Sequence, residues 1–202
     1  NAIPCKMFTI KKFDPNGKFL KYKSRLVAGG HREYINKYTD ISSPTVRIDT
    51  FMIMLNICAI KDFEMRIIDI TGAYLHAPLE NQNQYMWIRG ETAEIMANKY
   101  PEYKNFIQDN KSILVRLKKS LYGLKESAKA WYHHLVNTFK KNNIIVSKFD
   151  SGLLYDQSKS TFLLLHVDDI LCIGKNIDFI EELLKKQYKK ITNQEGNELT
   201  YL

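Results

Sequence analysis

The residues best suited to chemistry are aspartates. Asp168 and Asp169 are adjacent and stand between two apolar runs, 162–165 and 170–173. A buried strand does not carry a carboxylate pair by default, because charge without a partner is costly to bury. The ordinary alternative is a hairpin turn with Asp-Asp at its tip, but such turns usually recruit Gly or Asn, and neither is present here. A third carboxylate, Asp69, follows Ile67-Ile68 and precedes Ile70-Thr71-Gly72. By itself it reads as the N-cap of a short helix. Three carboxylates on the ends of adjacent strands, however, suit two divalent cations roughly 3.5–4 Å apart. Hard oxygen donors without His or Cys favour magnesium or manganese over zinc.

The charge balance fits that chemistry. Lys and Arg number 30 against 22 Asp and Glu, a net charge of +8 in 202 residues. On charge alone a nucleic-acid partner and an ordinary lysine-rich surface are equally good readings. Combined with the carboxylates, the charge points to phosphoryl chemistry on nucleic acid. Hydrophobic residues at 45% and charged residues at 26% are soluble globular values. They exclude disorder, collagen and coiled coil. The length suits one domain, or one with a small appendage. Cys5, Cys58 and Cys172 form no paired motif, and His31, His76, His133, His134 and His166 fall at no zinc spacing. Isolated thiols read as reduced and intracellular. No P-loop, GxGxxG or GxSxG pattern occurs. The longest apolar stretch, 51–60, is interrupted by Asn56 and is far short of the roughly 18 residues of a membrane span. No membrane partner is expected.

The elements that must hold these residues are readable. Two β-rich runs, 4–12 and 18–27, flank Asp14-Pro15-Asn16-Gly17, the chemistry of a hairpin turn. Residues 28–44 are loop-like. Val46, Ile48, Met52, Leu55 and Ala59 recur at helical spacing, predicting a buried amphipathic helix over 45–60 in which Met52 and Met54 fill core. Strands are expected at 63–70, 85–88, 113–117, 152–155, 161–167 and 170–173. Helical stretches are expected at 91–108 (broken near Pro101), about 126–141 and 177–188, with a strand closing the order. Hairpins mixed with long helices argue for an α+β fold over a doubly wound parallel sheet.

Six motifs in order carry a family resemblance. They are Tyr22-Lys-Ser-Arg-Leu-Val-Ala-Gly-Gly30, Ser43-Pro44-Thr45, Asp69-Ile-Thr-Gly-Ala-Tyr-Leu-His76, Tyr85-Met86, Lys119-Ser-Leu-Tyr-Gly-Leu-Lys125 followed by Trp131, and His166-Val-Asp-Asp-Ile-Leu171. In this series the chain resembles the reverse transcriptase domain of the Pol polyprotein of copia-type LTR retrotransposons. Any one match is weak, but six in family order over nearly the whole length are specific.

The resemblance implies a right-hand polymerase of fingers and palm. Fingers would occupy about 1–60 and 76–118. The palm, a ferredoxin-like antiparallel sheet packed on helices, would occupy about 61–75 and 119–202. The thumb is expected to be absent. It implies an RNA-directed DNA polymerase using two Mg2+ (or Mn2+) ions, with Asp69, Asp168 and Asp169 as the catalytic, metal-binding triad and the Ile70 backbone carbonyl on the triphosphate metal. One ion would activate the primer 3′-OH and the other would stabilise the leaving pyrophosphate. Implied nucleotide contacts are Lys23, Arg25, Tyr74, Tyr122, Gly123 and Lys175. Of these, Tyr74 would be the aromatic gate against a ribose 2′-OH; on the residues alone it reads as a core aromatic. His166 and Val167 would place the primer. Implied partners are a primed RNA or DNA template, deoxynucleoside triphosphates and the remaining Pol segments (thumb, ribonuclease H, integrase). The implied location is intracellular, in a cytoplasmic virus-like particle or the nucleus.

The chain departs from the family pattern at three places. His166 stands where an aromatic Tyr is usual, Met7 where Trp is frequent, and Gly29-Gly30 where Lys-Gly is usual. None replaces one of the three carboxylates. Two other readings remain: a truncated or domesticated element that binds nucleic acid without synthesis, and an unrelated metal-dependent nuclease.

Overall fold

The computed structural model describes residues 2–14, 16–33, 40–79, 83–158 and 160–194. In chain order its elements begin β1 (Ala2–Phe13), β2 (Phe19–Ala28), α1 (Ile48–Lys61), β3 (Glu64–Ile70), β4 (Tyr85–Arg89), α2 (Glu91–Lys99) and β5 (Ser112–Arg116). They continue α3 (Ser127–Lys140), β6 (Ile144–Val146), β7 (Leu153–Asp156), β8 (Thr161–His166), β9 (Asp169–Gly174), α4 (Ile177–Tyr188) and β10 (Ile191–Gln194). The class is α+β with two sheets. The chain forms two compact units, Asn1–Ile41 with Ala77–Ser127, and Ser42–His76 with Ala128–Leu202. No described helix is long and apolar enough to cross a membrane.

The first unit holds a four-stranded sheet in the order β2-β1-β4-β5. The β1–β2 turn is built as its residues predict: Asp14 Oδ1 accepts the N–H groups of Asn16 at 3.0 Å and Lys18 at 2.8 Å. Gly17 supplies a φ of +80°. Pro15, within that turn, lies outside the described residues, as do 34–39 of the expected loop. Side chains from Lys6 to Phe13 and from Phe19 to Arg25 are exposed on both faces of the ribbon. The core gathers at its root, around Ile3, Ala28, Met86, Ile88 and Ile113.

The second unit holds a six-stranded antiparallel sheet in the order β10-β3-β9-β8-β7-β6. Its central strands are apolar on both faces because both are covered. Ile67, Leu164, Leu171 and Ile173 face Met54 and Cys58 of α1. The alternate positions Ile68, Ile70, Leu163, Leu165, Ile170 and Cys172 are equally buried, and α4 packs on β3 and β9. One charge lies among them. Arg66 on β3 pairs with Glu181 at 2.6 Å and Asp178 at 2.8 Å. Glu181 also pairs with Lys185 and accepts from Asn193 Nδ2 of β10 at 3.1 Å.

The structure corrects the expected face of α1. Met54 and Cys58 are its buried residues, whereas Ile48 and Met52 are 68% and 54% exposed and Ala59 is exposed. The helix is apolar nearly all round, so spacing alone does not select the side that meets the sheet. It also starts at Ile48, three residues later than expected, after Arg47 donates its N–H to Asp150 Oδ2 at 2.9 Å. Strand β6 is short and was not expected. Strand β10 supplies the closing strand of the order.

Candidate active site: a row of carboxylates across the sheet

Backbone register assembles the site. Asp69 on β3 lies opposite Asp169 on β9. Asp169 in turn lies opposite His166 on β8, and Asp69 opposite Thr192 on β10. Four strands thus contribute one row, His166–Asp169–Asp69–Thr192. Residues opposed in this way have Cβ atoms about 4.5–5.5 Å apart. The row lies on the face of Ile67, Leu171 and Leu164, because side chains two apart on a strand share a face. It marks the end of that apolar surface, where the three aspartates become half-buried.

Asp168 reaches the row from a two-residue turn, Val167-Asp168. Asp169 already belongs to β9, so the segment is a hairpin turn that also sets two carboxylates side by side at the end of the sheet. The turn has positive φ at Val167 (+58°) and not at Asp168. That pattern belongs to a II′ hairpin, whose first central residue is ordinarily Gly. The Val167 carbonyl accepts the indole N–H of Trp131 at 2.8 Å. The Asp168 carbonyl accepts the N–H of buried Ile70 at 3.4 Å.

The electrostatics are those of crowded negative charge. Burial, then the charges of Asp168 and Asp69, push the Asp169 carboxyl above its ordinary value, with His166 opposing. Thr192 Oγ1 donates to Asp69 Oδ2 at 3.3 Å. Among the described residues no group of three or more His, Cys, Asp or Glu stands ready as a metal cage. The donor set nonetheless fits a hard divalent cation: three carboxylates whose mutual repulsion a cation would relieve, with no thiolate or zinc-type cluster beside them.

The remaining residues singled out from sequence divide by place. Tyr74 is half-buried in the 3-10 turn Ala73–His76 that follows β3. Lys175 is exposed just beyond the far end of β9. Six positions of extended chain separate it from Asp169, roughly 20 Å at strand rise, so the structure does not bring it to the carboxylates. In the first unit Lys23 and Arg25 share one face of β2. The Arg25 guanidinium lies 5.2 Å from the Tyr122 ring centroid. The Tyr122-Gly123 turn is sewn to the end of β2: Ala28 N–H donates to Tyr122 O at 2.7 Å and Gly30 N–H to Gly123 O at 3.1 Å. Gly123 has φ +92°, and a Cβ there would stand 2.2 Å from the Ala28 carbonyl oxygen. Its glycine is thus required by the approach to β2.

Three features escaped the sequence reading. Thr192 and the Trp131 contact are distant pairings with no local pattern. The third is a pocket of about 500 Å³ beside the ribbon root, lined by Lys6, Phe8, Val27, His31, Arg32 and Arg89. Its cations are spread over 84 residues of sequence and form no run.

Known proteins are similar to the chain over almost its whole length. The family described as Reverse transcriptase (RNA-dependent DNA polymerase) matches residues 1–195. The chain is 26% identical over 202 residues to the Retrovirus-related Pol polyprotein from transposon RE1 of Arabidopsis thaliana, covering 98% of this chain and 13% of that protein. It is 30% identical over 187 residues to the corresponding polyprotein from transposon TNT 1-94 of Nicotiana tabacum, covering 90% and 13%. Among solved structures, an apo telomerase from Candida tropicalis truncated from its C-terminal domain aligns over 98% of this chain and 51% of its own, at 12% identity and a TM-score of 0.42. The chain spans about 13% of the length of these curated relatives. Because one family matches almost end to end, through every strand that carries an aspartate, the chain belongs to the reverse transcriptase (RNA-dependent DNA polymerase) family.

Proposed function

We propose that the chain is the fingers and palm of an RNA-directed DNA polymerase from a copia-type Pol polyprotein. The observation that carries this reading is the cross-strand register of Asp69 with Asp169, next to Asp168. The second unit is the palm and the first the fingers. On this division α1 belongs to the palm and 119–127 to the fingers, in keeping with the cores they join.

Asp69, Asp168 and Asp169, with the Ile70 carbonyl, would hold Mg2+ or Mn2+. Such ions, when bound, make the primer 3′-OH a better nucleophile and neutralise charge on the phosphates. Thr192 keeps one Asp69 oxygen engaged and so orients the other. Tyr74 serves as the flat barrier to a 2′-OH. Arg25 is preset for phosphate by its seat on Tyr122, since a guanidinium stacks on an aromatic face and still binds phosphate in bidentate fashion. Lys6, Arg32 and Arg89 have no carboxylate partner among the described residues. With Phe8 exposed beside them, they suit the phosphates and a stacked base of a template strand. His166 and Val167 take the primer end. The three unbridged cysteines are in keeping with work inside a cell.

Primer extension on poly(rA)/oligo(dT) with magnesium tests the reading. Wild type extends the primer and Asp168→Asn does not. Equal extension by both would refute the carboxylate assignment. Template binding with no extension by wild type would favour a nucleic-acid-binding remnant.

A further inference from the structure

We infer that Trp131 is a positioning residue: its indole N–H holds the Val167 carbonyl and so fixes the turn that carries Asp168 and Asp169. The catalytic consequence rests on the polymerase reading above. The structural one does not.

Val167 is the wrong residue for its backbone. It is β-branched and sits at φ +58°, a region open to Gly and, less readily, to Asn or Asp. A non-glycine residue persists there only when its surroundings over-determine it. Relaxing to negative φ would change the turn type and re-aim Asp168, the central residue beside it. The constraint here is the 2.8 Å hydrogen bond from Trp131 Nε1. Trp131 is 1% exposed, so without this acceptor its N–H would be a buried donor lacking a partner.

The indole is itself held. Its ring centroid lies 5.4 Å from Tyr188, 5.9 Å from His134 and 6.4 Å from His76. Tyr188 and His76 meet edge-on at 5.0 Å, and the Tyr188 hydroxyl pairs with Thr138 Oγ1 at 3.2 Å. These rings come from α3, α4 and the 3-10 turn after β3. His76 belongs to the segment leaving Asp69, and Val167 to the segment entering Asp168. One side chain therefore braces both carboxylate-bearing segments from behind. A tryptophan is needed because phenylalanine fills most of the space but has no N–H.

The test replaces Trp131 by benzothienylalanine, which keeps the indole shape and exchanges its N–H for sulfur, and in parallel by Trp131→Phe. Amide hydrogen exchange over 161–174 reads the turn without metal or turnover. Primer extension reads kcat and the nucleotide KM. With the isostere, exchange at the turn rises and kcat falls, each by about tenfold, the worth of one buried hydrogen bond. KM changes little. In a Val167→Gly background, where positive φ needs no tether, both losses shrink below about threefold. Unchanged exchange in the isostere would overturn the inference. So would an undiminished loss in the Val167→Gly background, which would mean that the indole acts by packing alone. If wild type fails to extend a primer, the polymerase reading falls and the exchange arm still decides the tether.

Discussion

The ribbon β1–β2 and the strand trio β3, β9 and β8 hold their functional side chains by opposite means. In the trio both faces are buried, and slipping the register by one residue would move every side chain to the opposite face and undo its packing there. Asp69 and Asp169 are therefore located by hydrophobic residues that never touch substrate, such as Ile67, Leu164 and Leu171. The ribbon has no such guarantee. From Lys6 to Phe13 and Phe19 to Arg25 it is exposed on both faces, so Lys23 and Arg25 are aimed only by strand pairing and by the joint at Gly29, Gly30 and Gly123. The carboxylates proposed as metal ligands, which need placing to a fraction of an ångström, stand on the first plan. The surface proposed to receive a flexible chain of phosphates stands on the second.

The largest expected effect lies in the trio and separates function from stability. Asp169→Asn should abolish primer extension while leaving the thermal midpoint equal or higher. The sign follows from the raised carboxyl of Asp169: burial and the charges of Asp168 and Asp69 disfavour its ionised form. Removing that charge relieves the folded state at neutral pH. Calorimetry on the purified variant checks this. A midpoint lowered by several degrees would mean that the carboxylate helps hold the sheet, and the contrast between packing and chemistry would fail.

At the ribbon joint the two are coupled instead. Gly123→Ala forces a side chain into φ +92° and against the Ala28 carbonyl at 2.2 Å. Positive φ alone costs about 1–2 kcal/mol, and the clash adds to it. The joint must open, carrying Arg25 and Tyr122 apart. The expected outcome is a nucleotide KM raised about tenfold with kcat less affected, and faster amide exchange at 26–30. Normal exchange there would show that the ribbon is aimed from elsewhere.

This contrast also governs what could be read in advance. The apolar runs 67–68, 162–165 and 170–173 announced buried strands, and the register brings the carboxylates at their ends together. Burial leaves a local trace in sequence. The face of α1 was not legible, since Ile48, Met52 and Ile53 are as apolar as the buried Met54 and Cys58. Contacts between distant residues left no trace. Thr192 meets Asp69 only because β10 returns beside β3, and Trp131 meets Val167 only because α3 passes behind the turn. Lys175 was misplaced for the complementary reason: six residues look near in sequence, but an extended strand carries them to opposite ends.

A smaller effect tests the charge buried beneath the trio. The Lys185 hydrogen bond, supported by Asn193 and Arg66 and opposed by burial, holds the Glu181 carboxyl below its ordinary 4.5. A lowered carboxyl contributes stability that is complete above its unfolded value and is lost as pH falls through the folded one. Glu181→Gln should therefore destabilise the second unit at pH 7 by about 2 kcal/mol, the cost of taking a buried carboxylate partner from Arg66. The gap to wild type should narrow as the pH falls below the ordinary 4.5 and through the lowered folded value. Denaturant midpoints against pH check it. A gap that persists in acid would assign the loss to shape rather than charge.

The smallest effect is a comparison within the ribbon. Arg25 leans on Tyr122, near the joint. Lys23 is one rung further out, opposite Ile10, and is exposed. Arg25→Ala should raise the nucleotide KM by about tenfold, and Arg25→Lys should not restore it, because an ammonium neither stacks nor binds in bidentate fashion. Lys23→Ala should raise it by about two- to threefold, and that difference should vanish near 0.5 M salt, where the screening length falls to about 4 Å. Titrating KM against ionic strength for the three variants makes the decision. If Lys23→Ala matches Arg25→Ala at high salt, the outer ribbon is as well aimed as its root, and exposure on both faces does not make a phosphate contact less exact.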